Sequence, residues 1–446
     1  MSNDPTKQLV DKLRAKEGRR IPTSSLARLQ KTASAAAWIG VDVVAGKLLG
    51  TDAGLGHLSP ETLGRVVESF GELKGVAMKV GQLLSYVDPA LSPEARRMLS
   101  VLQVMSQPTA FGQVLQTVRE DLGAPGRTLA DRLERTPVAS ASVGQVHRST
   151  LDDGTPVAVK VRHPGVEDAI RADFKTAAIG TLFARLAAPG MNLDEVLAEA
   201  KTRFLEECDY ALEARRQIRF GQVYAAHPFI TIPTVHPGVC GRRVLTSTWH
   251  KGMGLDAFLE AAPFQAERVR ASRALYEFYV GTLYREGLFN ADPHPGNLCF
   301  APDGKVTIFD HGCVREFDRD FVAGLVGLSR AVQRDDTAAT QSALSAIGMF
   351  NPSQDFDLTR SLLRGFYAPL LASGRLKVTS EHAISIRQVA KMRKSLLRIR
   401  LPGKLAFLFR IRIGLHAVLA RIGARLDWQE LEAELAEVVA APAPPL

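Results

Sequence analysis

The chain has 446 residues, room for two or three core-sized units, and its 46% hydrophobic and 23% charged content is that of a soluble globular protein. Its four cysteines, Cys208, Cys240, Cys299 and Cys313, lie far apart with no C-x-x-C pair, which excludes a disulfide framework or a zinc knuckle and suits a reducing compartment. The net charge of +9 is concentrated late in the chain: from His382 to Leu426 lysines and arginines occur without a single acid. No nucleic-acid motif accompanies them, so no nucleic-acid partner is expected. Interspersed Leu396, Ile399, Leu405 and Phe407 leave two readings open, a basic face on a helix pair or an amphipathic surface meeting anionic lipid.

The first residues lack the order of a signal peptide. A small-residue helix is expected from Ala33 to Leu49, and its apolar run, interrupted by Asp42, is shorter than the ~20 residues that span a bilayer. Leu63, Val66, Val67, Phe70 and Leu73 recur at helical spacing, followed by helices over Val76 to Tyr86 and Pro93 to Val104. Phe111 to Leu122 reads as another helix, closed by Gly123-Ala124-Pro125-Gly126. Beyond Pro137 the pattern alternates: a strand over Ser142 to Thr150, a turn at Asp152-Asp153-Gly154, and a return strand over Val157 to Val161. Helices are expected over 166–187 and from Asn192 to Tyr224, then strands at Phe229 to Val235 and Arg243 to Thr248. From Leu255 to Val439 the pattern is helical except for one hairpin, Leu298 to Phe300 and Lys305 to Phe309 around Pro302-Asp303-Gly304. A final helix starts at Asp427, with Glu430 three residues on as in a capping box.

That hairpin carries the strongest chemical signal. It returns Asp310 to the neighbourhood of Asp292 and Asn297, giving hard oxygen ligands that can face a triphosphate and its metal. The spacing is that of a kinase catalytic loop, Asp-x-x-x-x-Asn, followed by the magnesium-binding Asp. Upstream, Val157-Ala158-Val159-Lys160 has the form of the strand whose lysine grips the α/β-phosphates. A lysine stem between two valines needs a carboxylate partner. Glu206, Asp209 and Glu213, expected on one helical stripe, are the candidates. No G-x-G-x-x-G precedes Lys160. In its place stands Ala139-Ser140-Ala141-Ser142-Val143, small residues that let backbone N–H groups approach phosphates. His294 reads as a structural hydrogen-bonder within the loop, and His147 and His163, flanking the lysine strand, read as ordinary.

These motifs resemble the UbiB (AarF) family of atypical, protein-kinase-like proteins, and Ile21-Pro22-Thr23-Ser24 before Leu26-Ala27-Arg28-Leu29 further resembles its ubiquinone-biosynthesis branch. The marks are Lys79-Val80-Gly81-Gln82, the alanine-rich loop from Ala139, Glu207-Cys208-Asp209, and Ala291-Asp292-Pro293-His294-Pro295-Gly296-Asn297. The resemblance implies an α+β, protein-kinase-like two-lobed fold with a helical N-terminal extension over the active cleft. The expected layout is a start over 1–57, the extension over 58–130, a small lobe over 131–250, a large lobe over 251–400, and C-terminal helices with a Pro/Ala tail over 401–446. It further implies that ATP and Mg²⁺ are the cofactors. Lys160 would bind phosphates and pair with Glu213, Asp292 would be the catalytic acid, and Asn297 and Asp310 would hold the metal. Residues 139 to 143 and Thr248 would line the nucleotide, and Lys79 and Gln82 would meet Glu207 or Asp209 from the extension.

The implied activity is phosphoryl transfer or ATP hydrolysis on a small or lipid-like acceptor, in isoprenoid or quinone metabolism. The implied setting is cytoplasmic and peripheral to the inner face of a membrane, with no transmembrane helix. A non-catalytic, nucleotide-responsive scaffold is the alternative. Three departures from the family stand out: Asn290 in place of a usual histidine, His311 in place of the phenylalanine of Asp-Phe-Gly, and no glutamate at the hinge between Val244 and Trp249. Histidine at 311 is expected to fill an apolar slot poorly.

Overall fold

A computed structural model describes residues 108–175, 193–349, 356–371, 374–378 and 403–440. In chain order it begins with α1 (Phe111–Leu122), α2 (Ala124–Asp131), β1 (Ala139–Ser140), β2 (Gly144–Thr150), β3 (Pro156–Arg162), α3 (Val166–Asp173), α4 (Leu193–Glu206) and α5 (Tyr210–Val223). Next come β4 (Ile230–Thr231), β5 (Val244–Thr248), α6 (Leu255–Glu260), α7 (Gln265–Tyr276), a π-helical turn (Glu277–Gly281), α8 (Thr282–Glu286), β6 (Leu288–Asn290), β7 (Leu298–Phe300), β8 (Val306–Ile308) and β9 (Val314–Glu316). The described chain closes with α9 (Arg319–Gln333), α10 (Thr337–Ala346), α11 (Phe356–Phe366), β10 (Arg375–Lys377), α12 (Gly403–Ile422), β11 (Arg425–Asp427) and α13 (Trp428–Ala440).

These elements form two compact units. The first gathers the described residues up to 175 with 193–215 and 234–249; the second gathers 216–233 and those from 250 onward. In the first unit β1, β2, β3 and β5 form one antiparallel sheet in that order. The inward residues of β3, Val157, Val159 and Val161, are almost fully buried and pack with Val244 against Val114, Val118, Leu129 and Ala130 of α1 and α2. Residues 111–131, expected within the separate extension, therefore share the core of this sheet.

Two expectations need correction here. The Gly123 stretch closes one helix and opens another: Gly123, with φ of 66°, ends α1, and Pro125 sits in the first turn of α2, where its missing N–H costs nothing. The helix expected from Asn192 to Tyr224 is two helices, broken at Glu207-Cys208-Asp209. Asp209 turns its carboxylate back to accept the Leu212 N–H at 3.0 Å, a cap on α5. A periodicity count reads such an aspartate as one more charge on a stripe.

The second unit is mostly helical. Its core runs from Phe220 and Tyr224 through the aromatic residues Tyr276, Phe278, Tyr279 and Tyr284 to Trp428 and Leu431. The hairpin β7–β8 pairs Leu298 with Ile308 and Phe300 with Val306, and β4 adds to it in parallel. Two short strand pairs escaped the helical reading of this region, β6 with β9 and β10 with β11. Each partner is only three residues long, too short for a period-2 signal. Asp427 caps α13, accepting the N–H groups of Gln429 and Glu430 at 3.1 Å each.

Candidate active site

Lys160 lies at the centre of the first unit's sheet, opposite Val146 on one side and Leu245 on the other. Alternation buries Val159 and Val161 and sends Lys160 to the opposite face. There its Nζ donates to both carboxylate oxygens of Glu213, at 2.8 and 2.9 Å, and lies 5.1 Å from the centre of the Tyr210 ring. Glu213 is 2% exposed. The helix break decides which acid meets the lysine. Glu206 ends α4 paired with Arg203 at 2.8 Å, Asp209 caps α5, and Glu213 lies one turn into α5. The break itself is pinned by Arg162, whose guanidinium donates to the Cys208 carbonyl at 2.7 Å. The three acids thus do not share a stripe, because the helical phase restarts at Asp209.

The alanine-rich loop is the turn between β1 and β2. The Ala141 N–H donates to the Gly144 carbonyl at 2.7 Å, while Ser142 and Val143 turn their side chains inward. Glycine is required at 144: a Cβ there would stand 2.1 Å from the Tyr210 hydroxyl and 2.6 Å from the Val161 carbonyl. His163, read from sequence as ordinary, braces this loop. Its N–H donates to the Val143 carbonyl at 2.9 Å, and its ring bonds the Ala141 carbonyl at 3.1 Å and the Thr109 hydroxyl at 2.7 Å. Thr248 ends β5, with its N–H donated to the Thr234 carbonyl at 2.8 Å and its hydroxyl bonded to His236 at 3.0 Å.

In the second unit Asp292 follows strand β6, Asn297 precedes β7, and Asp310 follows β8. The Asn297 side-chain amide donates to Asp292 Oδ2 at 3.1 Å, and the Asn297 carbonyl accepts the Phe309 N–H at 3.0 Å. The Gly312 N–H donates to Asp310 Oδ1 at 2.8 Å. His294 acts within the loop, its Nδ1 accepting the Gly296 N–H at 2.9 Å.

The sequence did not show what three residues in this region touch. Asn290, 1% exposed, donates from Nδ2 to the Asp310 carbonyl at 2.8 Å and accepts the Asp292 N–H at 3.1 Å, joining the two aspartates through one side chain. A polar residue ending the apolar Leu288-Phe289 run was the available signal. His311 is fully buried, its ring 5.1 Å from that of Phe220 and 6.2 Å from that of Phe278. Tyr279 lies in the π-helical turn, a local widening often found at functional sites, and donates to the Asp292 carbonyl at 3.4 Å. Burial, with Asp292 and Asp310 nearby, holds its phenol well above the usual range, so it stays protonated.

The donor set suits magnesium. Two carboxylates and an amide oxygen are hard ligands, and the Asn297 nitrogen is already spent on Asp292, leaving its oxygen for a cation. Among the described residues no three His, Cys, Asp or Glu side chains gather as a metal site of their own.

Lys79 and Gln82 lie outside the described residues, as does the basic stretch from Arg387 to Arg400. Of the later basic residues, Arg412 turns inward, while the exposed Arg421 pairs with Asp256. Among the described residues no helix is long and apolar enough to cross a membrane.

Residues 101–344 match the ABC1 atypical kinase-like domain. The chain is 28% identical over 310 residues to "Atypical kinase COQ8, mitochondrial" of Saccharomyces cerevisiae, covering 68% of this chain and 62% of that relative, less than two thirds of its length. It is 27% identical over 444 residues to "Atypical kinase COQ8B, mitochondrial" of Rattus norvegicus, covering 96% and 83%. Among solved structures, that of Rv3197 with erythromycin from Mycobacterium tuberculosis is similar with a TM-score of 0.61 and 28% identity, over 90% of this chain and all of that one. The fold is therefore kinase-like and α+β.

Proposed function

Because the chain belongs to the ABC1 atypical kinase-like family, the UbiB and AarF proteins, we propose that it cleaves the terminal phosphoryl group from Mg-ATP, passing it to water or to a small, lipid-like acceptor. The observation that carries this reading is the Lys160–Glu213 pair at 2.8 Å, which fixes a cation on the strand where phosphates would be gripped. Glu213 holds the ammonium in place, and the loop from Ala139 to Val143 offers small residues beside the phosphates. Asp292 takes the proton of the attacking hydroxyl as its oxygen bonds to the γ-phosphorus and the bond to ADP breaks. Asn297 and Asp310 would hold Mg²⁺, which would supply charge neutralisation for the transferred phosphoryl group and the departing ADP. The motif resemblance to the ubiquinone-biosynthesis kinases supports an isoprenoid or quinone setting, peripheral to the inner face of a membrane. Lys79 and Gln82 are assigned, by the family's motif alone, to an interaction with Glu207 or Asp209.

The erythromycin in the Mycobacterium structure favours a second reading, a nucleotide-responsive binder of bulky small molecules without turnover. Phosphate release from Mg-ATP, with and without anionic liposomes, separates the two. Release should rise with liposomes and fall by at least about 100-fold in Asp310→Asn, with an unchanged circular dichroism spectrum. Nucleotide binding without any release would overturn the first reading and leave the second.

A further inference from the structure

The turn that follows Asp310 is anchored at three carbonyl groups, all within the second unit. The Asn290 side chain donates to the Asp310 carbonyl at 2.8 Å, and the Ala291 N–H donates to that of Cys313 at 2.7 Å. The third donor comes from outside the catalytic stretch. Arg216 of α5, half-buried, donates from Nη1 to the Gly312 carbonyl at 2.7 Å, across 96 residues of sequence. A short bond from a guanidinium is charge-assisted, roughly twice as strong as one between neutral groups.

Gly312 bears directly on the aspartate. Its N–H donates to Asp310 Oδ1 at 2.8 Å, which fixes the direction in which that carboxylate points. With no Cβ, glycine has the widest choice of φ and ψ, so this N–H stays aimed only if the residue is held from elsewhere. The buried carbonyl on its other side is where Arg216 holds it. Two neighbours on α5 reach the same segment. Phe220 packs its ring 5.1 Å from that of His311, and Arg219 pairs with Glu316 at 3.0 Å. Positions 216, 219 and 220 fall on one face of a helix, so α5 meets the stretch from 311 to 316 along a single edge. The three contacts differ in weight. The Arg219 pair is exposed and contributes little to stability. The Arg216 bond ends on a buried carbonyl, where removing the donor is costly.

We propose that Arg216 is a positioning residue for the metal: by holding the Gly312 carbonyl it keeps the Gly312 N–H on Asp310, and so orients that carboxylate toward a divalent cation. The inference rests on Asp310 being a metal ligand, as in the proposed function. Groups one step removed from a metal ligand commonly change affinity roughly 10- to 100-fold when lost, without touching the ion.

The test is Mn²⁺ binding to the full chain in the presence of AMP-PNP, read as loss of the free-ion EPR signal. Arg216→Ala should weaken Mn²⁺ about 10-fold. Arg216→Lys, which retains a cationic donor, should recover part of that loss. Arg216→Gln is too short to reach Gly312 and should match the alanine variant; it serves where Arg216→Ala does not fold. Arg219→Ala removes only the exposed pair with Glu316 and should stay within about two-fold of the wild type. Phosphate release by Arg216→Ala should be low at limiting Mg²⁺ and recover when Mg²⁺ is raised about 10-fold, a recovery that a merely loosened fold would not give. Unchanged Mn²⁺ affinity in Arg216→Ala and Arg216→Gln overturns the proposal, as does an equal loss in Arg219→Ala. No Mn²⁺ binding by the wild type overturns both this role and the metal reading of Asp310. The expected ranking of Mn²⁺ affinities in proteins that release no phosphate would sink the proposed turnover and keep Arg216 in its role.

Discussion

Lys160 and Glu213, 53 residues apart, meet through side chains alone. Asp292, Asn297 and Asp310 are instead held within one short stretch, largely by main-chain groups: the Gly312 N–H on Asp310, the Phe309 N–H on Asn297, and the Asn290 side chain on the backbone of both aspartates. The difference is one of risk. A side-chain pair fails as soon as either member is lost, whereas a backbone-braced loop keeps its shape when a reactive carboxylate is replaced.

The largest expected effect tests that contrast directly. Lys160→Met removes the ammonium facing a carboxylate that is 2% exposed and should destabilise the protein by about 3 kcal/mol. The low end of the range applies because the Lys160 side chain keeps 18% exposure. Adding Glu213→Gln should recover most of that stability and none of the phosphate release. Asp292→Asn should cost less than about 1 kcal/mol, since its carboxylate accepts a single side-chain hydrogen bond from Asn297, yet lower release by at least about 100-fold. Urea unfolding beside phosphate release measures both. Equal loss of stability in Lys160→Met and Asp292→Asn would end the comparison.

Asn290 is where the loop's own design is exposed to mutation. Asn290→Ala strips a partner from the Asp292 N–H and from the Asp310 carbonyl and should cost about 2 kcal/mol. Phosphate release should drop about 10-fold, through kcat more than through KM, because the two aspartates lose their common tether. A fall in KM affinity alone, with kcat intact, would assign Asn290 to nucleotide binding and remove it from the loop's support.

What the sequence disclosed follows the same division. The hairpin from Leu298 to Ile308, the β2–β3 pair and α1 were legible because each is a local pattern bounded by its own turn. The motifs that put forward Lys160, Asp292, Asn297 and Asp310 as candidates were legible for the same reason: they are short and fixed in spacing. The break at Glu207 to Asp209 was not, since a capping aspartate and a surface aspartate look alike until the next helix is placed. Nor were the contacts of Asn290, His163 and Tyr279, whose importance lies in what they touch. His163 lies 54 residues from Thr109, and Asn290 lies 20 from the Asp310 carbonyl it holds, separations at which no periodicity operates.

The smallest effect expected is a pH dependence that distinguishes the two units. His147 is fully buried in β2, with Nδ1 bonded to the Glu134 carbonyl at 2.7 Å and Nε2 to the Gln145 side-chain amide at 2.8 Å. One ring nitrogen must donate to the carbonyl while the other accepts from the amide, so a second proton would set two donors face to face. Burial holds this imidazole below its ordinary value of 6.5. Below that pH the unfolded chain binds a proton the folded one refuses, so stability is complete above 6.5 and declines as the pH falls toward the lowered folded value, by at most about 1.4 kcal/mol per pH unit. His250, in the second unit, is shifted in the same direction by burial and contributes a similar slope. Urea midpoints at pH 7.5 and 5.5 should therefore separate for the wild type and separate less for His147→Gln, which keeps the His250 contribution alone. Identical separations would place the whole of the acid sensitivity outside β2.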